Sequence, residues 1–142
     1  MIHGLDCKTL LLNSDFTVDN GAFTVTEVDT LGYRYAIIDV CFGNVPANVA
    51  ACQVTESDTA GSGHANISGA SATVTAAAGD GKVYGFALDL RSRKRYLDLT
   101  LTAGDGSGTV TEAAVICKLY RGDQTPVGAT ELGYTGGLVQ LP

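Results

Sequence analysis

The residues that could do chemistry are few in this sequence, and most stand alone. There are two histidines, His3 and His64. His3 lies near the start of the chain, and His64 follows Gly61-Ser62-Gly63 in a run that reads as a solvated loop. A Ser–His–Asp assembly needs its nucleophile on a tuned turn such as Gly-x-Ser-x-Gly, and no such motif occurs. Gly79-Asp80-Gly81-Lys82 superficially resembles a phosphate loop. That loop requires Ser or Thr after the Lys and a helix beyond it, whereas Val83 and a strand-like run follow here. Asp80 and Asp105 each sit in a Gly-Asp-Gly turn, a place for structural calcium, yet neither has the dense carboxylate spacing of an EF-hand loop. Glu56-Ser57-Asp58 ends an alternating run, where its carboxylates either close a strand or face a partner. Paired carboxylates also serve glycoside hydrolysis, but a sugar cleft carries aromatic platforms and the chain has no Trp. Cys7, Cys41, Cys52 and Cys117 are widely spaced with no Cys-x-x-Cys pair, so they read as buried free thiols rather than zinc ligands. No catalytic residue, cofactor or metal ligand is expected.

One motif is unusual. Arg91-Ser92-Arg93-Lys94-Arg95 places four of the nine Lys and Arg residues in five positions of an acidic chain. In an extended conformation Arg91, Arg93 and Arg95 share one side. The bland alternative is a solvated loop between two strands. The functional reading is a docking patch for an acidic protein surface, because Arg pairs with carboxylates through two parallel hydrogen bonds. A nucleic-acid contact is the weaker reading, since Tyr96 is the one aromatic beside the patch.

The elements that position these residues are strands. In Arg95 to Ala103, Leu97, Leu99 and Leu101 fall on one face and Tyr96, Asp98, Thr100 and Thr102 on the other. Ala36 to Phe42 and Tyr84 to Leu90 alternate in the same way, and Val110 to Tyr120 is apolar on both faces, as in a central strand covered twice. Shorter strands are predicted at Thr9–Leu12, Phe16–Val18, Phe23–Val28, Cys52–Ser57 and Ala72–Thr75, runs enriched in Thr, Val and Phe. Asp19-Asn20-Gly21 is a hairpin signal, and Gly79-Asp80-Gly81 and Gly104 to Gly108 mark two further turns. Val45 to Ala51 offers one helical turn at most. This pattern predicts a single all-β domain of β-sandwich or jelly-roll type with extended terminal segments.

The domain spans residues 1–121 in this reading. Residues 122–142 differ: they hold two of the three prolines and several glycines, with scattered apolar residues such as Tyr134 and Leu138. That composition fits an arm packed on its own domain or a neighbour, or one more edge strand. With 142 residues the chain can build a core without staples. A net charge of −6 gives no counterion-release affinity for DNA or RNA and weak repulsion from anionic membranes. The start lacks a basic n-region and no stretch reaches the ~20 apolar residues of a membrane helix, so folding in a cytoplasm is expected.

Several segments together resemble small structural proteins of tailed phages and prophages. They are Val28-Asp29-Thr30-Leu31-Gly32-Tyr33-Arg34-Tyr35-Ala36, Val54-Thr55-Glu56-Ser57-Asp58, Gly81-Lys82-Val83-Tyr84-Gly85-Phe86 and Arg93-Lys94-Arg95-Tyr96-Leu97. The resemblance spans about Phe16 to Tyr120. It implies a decoration or cement protein of a phage capsid, a β-sandwich or jelly roll forming homotrimers on the major capsid protein, assembled in the host cytoplasm and without catalytic residues. Arg91, Arg93, Lys94, Arg95, Tyr134 and Leu138 are then the expected protein contacts. The alternative from the same features is a tail, fibre or surface module that binds a receptor or glycan.

Overall fold

The computed structural model describes residues 7–121 and 137–141. Eleven strands form two facing sheets: β1 Cys7–Leu11, β2 Thr17–Val18, β3 Asn20–Ala22, β4 Val28–Asp29, β5 Tyr35–Phe42, β6 Ala51–Ser57, β7 Ala65–Ser71, β8 Val83–Asp89, β9 Tyr96–Gly104, β10 Thr111–Tyr120 and β11 Gly137–Leu141. The first sheet runs β1-β10-β5-β8-β11, with β2 also paired to β10. The second runs β3-β9-β6-β7, with β4 also paired to β9. Every pairing is antiparallel except that of β11 with β8. The domain is an all-β sandwich, and its described residues include no α-helix.

Alternation builds the core directly. Ala36, Ile38 and Val40 of β5, Phe86 and Leu88 of β8, and Val115, Cys117 and Leu119 of β10 face Leu97, Leu99 and Leu101 of β9 and Cys52 and Val54 of β6. Phe86 and Ile38 are the largest of the fully buried side chains. Phe42 and Tyr84 meet edge to face at 5.7 Å between ring centroids. The strand buried on both faces is β5, whose outward Tyr35, Ile37 and Asp39 are also buried. The sequence pattern assigned that place to Val110–Tyr120. In fact β10 lies between β1 and β5, and its outward residues Ala114, Ile116 and Lys118 are only half-buried.

Three local expectations change. Asp19-Asn20-Gly21 is not a hairpin turn: β2 pairs with β10 in one sheet and β3 with β9 in the other, so the segment crosses between sheets. Phe23–Val28 is not a continuous strand; Val25 makes a single bridge to Asn13 before β4 begins. Ala72–Thr75 lies beyond the strand, which is Ala65–Ser71. That strand escapes a period-two search because Ile67 and Ala70, its buried residues, are three apart. A bulge sits between Gln53 and Thr55, and the Gln53 amide donates to the carbonyls of Ile67 and Ala70 at 2.9 and 3.0 Å, filling it. The run at Val45–Ala51 forms no helix. Val45 is fully buried, and its N–H donates to Asp80 at 2.6 Å, so the Gly79-Asp80-Gly81 turn anchors it.

Asn13 performs a similar repair where β1 leaves its sheet. Its side chain donates to the carbonyl of Ala113 at 2.9 Å and accepts from the N–H of Val115 at 2.8 Å. The amide thereby replaces a missing strand partner for β10 in a buried setting.

The crossing at Asp19 depends on Gly104. A Cβ there would lie 1.4 Å from the Asp19 carbonyl oxygen, and φ is +84°. Gly108 has φ +88° but no atom within 4 Å of a Cβ. Gly104→Ala is therefore expected to cost about 3 kcal/mol or more. Gly108→Ala costs about 1 kcal/mol, the left-handed backbone penalty alone. Urea denaturation of the two variants checks the contrast.

Candidate functional site: the basic end of the sandwich

The register of the strands brings the charges together. Tyr35 starts β5 opposite Tyr120 at the end of β10 and Asp89 at the end of β8. Tyr96 starts β9 opposite Ser57 at the end of β6, and Asp29 ends β4. All of these positions lie at one end of the sandwich. Seven of the nine Lys and Arg residues belong to that end: Lys8, Arg34, Arg91, Arg93, Lys94, Arg95 and Arg121. The carboxylates described there are Glu27, Asp29, Glu56, Asp58 and Asp89. At the opposite end stand Asp15, Asp19, Asp80, Asp105 and Glu112, with Lys82 the one Lys or Arg among the described residues there. Among the described residues charge is thus polarised along the strands, with a cationic and an anionic end.

The segment 91–95 is not the extended row that its spacing suggested. Asp89 caps a 3-10 turn over Leu90–Ser92 by accepting from the Arg91 N–H at 3.1 Å, and Leu90 is buried beneath it. Each basic side chain then meets a carboxylate of its own chain. Arg91 and Asp89 form a two-pronged pair through Nε and Nη2. Arg95 grips Asp29 at 2.8 and 2.7 Å. Lys94 Nζ lies 3.6 Å from Asp58, and Arg93 lies 3.8 Å from Glu56. Glu56 also accepts from the Lys94 N–H at 3.1 Å. Glu56 and Asp58 therefore receive the basic segment of their own chain.

Aromatic rings lie under the guanidiniums. Arg121 sits 4.9 Å from the ring centre of Tyr33, Arg95 5.0 Å from Tyr96, and Arg91 5.9 Å from Tyr35. Beside them, Leu31 at the turn between β4 and β5 is 67% exposed. Asp29 shapes that turn by accepting from the Leu31 N–H at 3.0 Å. Arg and Tyr around an exposed apolar residue is the composition of a protein interface centre. Leu31, Arg34 and Arg121 were not singled out in the sequence, because they reach this end from positions far from residues 91–95. Tyr134 lies outside the described residues. The backbone of Leu138 lies in edge strand β11 opposite Gly85, away from the basic end by register.

The remaining chemical candidates have structural settings. His64 is not a solvated loop residue: its Nε2 lies 2.8 Å from Glu27, and its side chain is 18% exposed. Glu27 also accepts from the Gly61 N–H at 2.9 Å, so it ties the 58–64 loop to the second sheet. Asp98, nearby on β9, has its carboxyl pushed up by burial. All four cysteines are free thiols, and burial pushes Cys52 and Cys117 up to about 12. Among the described residues no cluster of three or more His, Cys, Asp or Glu could hold a metal ion. No described helix is long and apolar enough to cross a membrane.

The fold and this site together define an all-β sandwich with oppositely charged ends. No known protein family, curated protein or solved structure matches the chain.

The pairing at the basic end has a pH signature. Hydrogen bonds from Arg95 and Arg91 hold the carboxyls of Asp29 and Asp89 down from 3.8 to about 2. A carboxyl depressed on folding stabilises the native state above its unfolded value. That contribution is lost as pH falls from about 4 through about 2. Both pairs face solvent, so the stability at stake is small. Carboxyl NMR titration should place Asp29 near 2, and Arg95→Ala should return it toward 3.8.

Proposed function

We propose that this protein decorates and stabilises a phage capsid as a homotrimer docked on the major capsid protein. The observation that carries the reading is the basic end. Arg, Lys and Tyr side chains are pre-positioned there by intrachain carboxylates around an exposed leucine. This is a surface built to meet an acidic protein, and holding its side chains in place lowers the entropic cost of docking. The segments that resemble phage structural proteins include the Leu31 turn and residues 93–97, which both belong to this end. A rigid sandwich present in several copies also repeats a weak contact with the shell, which raises avidity without a tight single site.

The reading is tested by co-sedimentation with undecorated capsids, together with light scattering of the free protein. Retention on particles at a stoichiometry of capsid threefold positions, and a trimeric mass, are the expected results. Arg91→Glu combined with Lys94→Glu should weaken retention by about 10-fold or more while leaving the fold intact, since both side chains are exposed. Failure to bind particles, with reproducible binding on a glycan array, would instead favour the receptor-binding alternative.

A further inference from the structure

The first sheet has an outer face that no described strand covers, and the middle of that face is nonetheless buried. Tyr35 and Ile37 of β5 are each 3% exposed, Asp39 is 6% exposed, and Ala87, opposite Ile37 on β8, is 5% exposed. All four point away from the second sheet, because the alternate residues Ala36, Ile38, Val40, Phe86 and Leu88 fill the core between the sheets. The Arg91 guanidinium reaches the ring of Tyr35, and Lys118 Nζ meets Asp39 at 2.6 Å. Ile37 is flanked within the sheet by Lys118 of β10 and Ala87 of β8. Neighbours in the same sheet shield a side chain from the sides and leave its top open to water. The burial of Ile37 and Ala87 therefore calls for a further layer over this face.

Strand topology names the occupant. β11 runs parallel to β8, and β8 and β10 both run antiparallel to β5, so β11 is also parallel to β10. The chain leaves β10 at Tyr120, at the basic end, and re-enters the sheet at Gly137, level with Tyr84, Val40 and Val115. The connection must therefore return about 17 Å along the strands and cross three strand spacings, about 14 Å. A chain from 121 to 137 reaches roughly 50 Å when extended, which is ample. The second sheet blocks the inner route. Handedness selects the outer one. Backbone bonds of Glu112 and Tyr120 run to Gly43, Asn44 and Arg34 on the β5 side, and Ala114, Ile116 and Lys118, of the same parity, face outward. For L-residues this puts β5, β8 and β11 to the right of β10, seen from outside with β10 running upward. A crossover on the viewer's side to a parallel strand on the right is right-handed, the sense of about 98% of such connections. We infer that residues 122–136 dock on the outer face of β5 and β8 of their own chain and strap β11 to the sheet edge. Their composition suits the place: Val127, Leu132 and Tyr134 are apolar or aromatic, and Asp123 and Glu131 are the charged residues. Asp39 offers a buried carboxylate to their backbone N–H groups, which offsets the cost of burying it. The segment then belongs to its own domain, neither to a shell nor to a neighbouring copy, whatever the basic end docks on.

Methyl NMR on the isolated full chain tests the contact. Nuclear Overhauser effects should connect the Ile37 and Ala87 methyls to protons of residues 122–136. In an equimolar mixture of labelled and unlabelled chains refolded together, effects filtered for contacts between chains should be absent at these methyls. A variant gives a second readout. Ile37→Lys places a cation beneath the segment, and circular dichroism confirms that the variant folds. Cleavage after Glu131 by a glutamate-specific protease should then run about 10-fold faster or more than in wild type, because the segment opens without the rest of the domain. If Ile37→Lys does not fold, the wild-type effects decide alone. Ile37 and Ala87 methyls without contacts to residues 122–136 overturn the inference. Contacts that cross between chains give the face to a neighbouring copy and overturn it as well, as does wild-type cleavage in a folded Ile37→Lys protein.

Discussion

The burial of one face of each sheet against the other is the constraint on which the rest depends. Leu97, Leu99 and Leu101 project from one sheet, and Ile38, Phe86 and Leu119 from the other. A strand turns alternate residues to opposite faces, so a slip of one residue would move a whole set of leucines into water. Register is therefore fixed by the core. Because register is fixed, the strand ends are fixed too, and with them the positions of every charge in the connecting turns. The polarised ends of the molecule follow from a packing constraint between side chains that carry no charge.

The same constraint explains where the chain spends its polar side chains. Sheet departures leave backbone groups without strand partners, and a buried orphan is costly. Asn13, Gln53 and Asp80 each supply an amide or carboxylate at such a place. Gly104 gives the other kind of solution, removing its side chain so that the Asp19 carbonyl can approach. Two residues that stood out as chemical candidates turn out to be parts of this repair. Asp80 anchors Val45, and Glu56 receives the start of the basic segment.

Electrostatics at the basic end is local and organised rather than simply cationic. The guanidiniums of Arg91 and Arg95 are held by Asp89 and Asp29 and rest near Tyr35 and Tyr96. Such pairs add little stability in water. They do restrict long side chains that would otherwise lose entropy on binding, which suits a surface that meets another protein. Among the described residues the Lys and Arg side chains collect at this end and five carboxylates with Lys82 at the other, an arrangement that would orient approaching charged molecules.

By itself the sequence determined the long strands, because alternation over seven or more residues has a single physical reading. Ala36–Phe42, Tyr84–Leu90 and Arg95–Ala103 lie on strands of the structure within a residue or two of their ends, as does the apolar run Val110–Tyr120. It determined the all-β class and picked out residues 91–95 as the unusual charge cluster. It did not reveal Ala65–Ser71, where a bulge replaces period two with a spacing of three, nor that Asp19-Asn20-Gly21 passes between sheets, because a turn signal says nothing of which sheet each flank joins. The candidate site was legible only in part. Residues 91–95 are contiguous, but Lys8, Arg34 and Arg121 join them through strand pairing across most of the chain, and Leu31 meets them at a turn. Local pattern sets which residues face the core. Only the tertiary pairing of distant strands decides which turns share an end, and so where the charge collects.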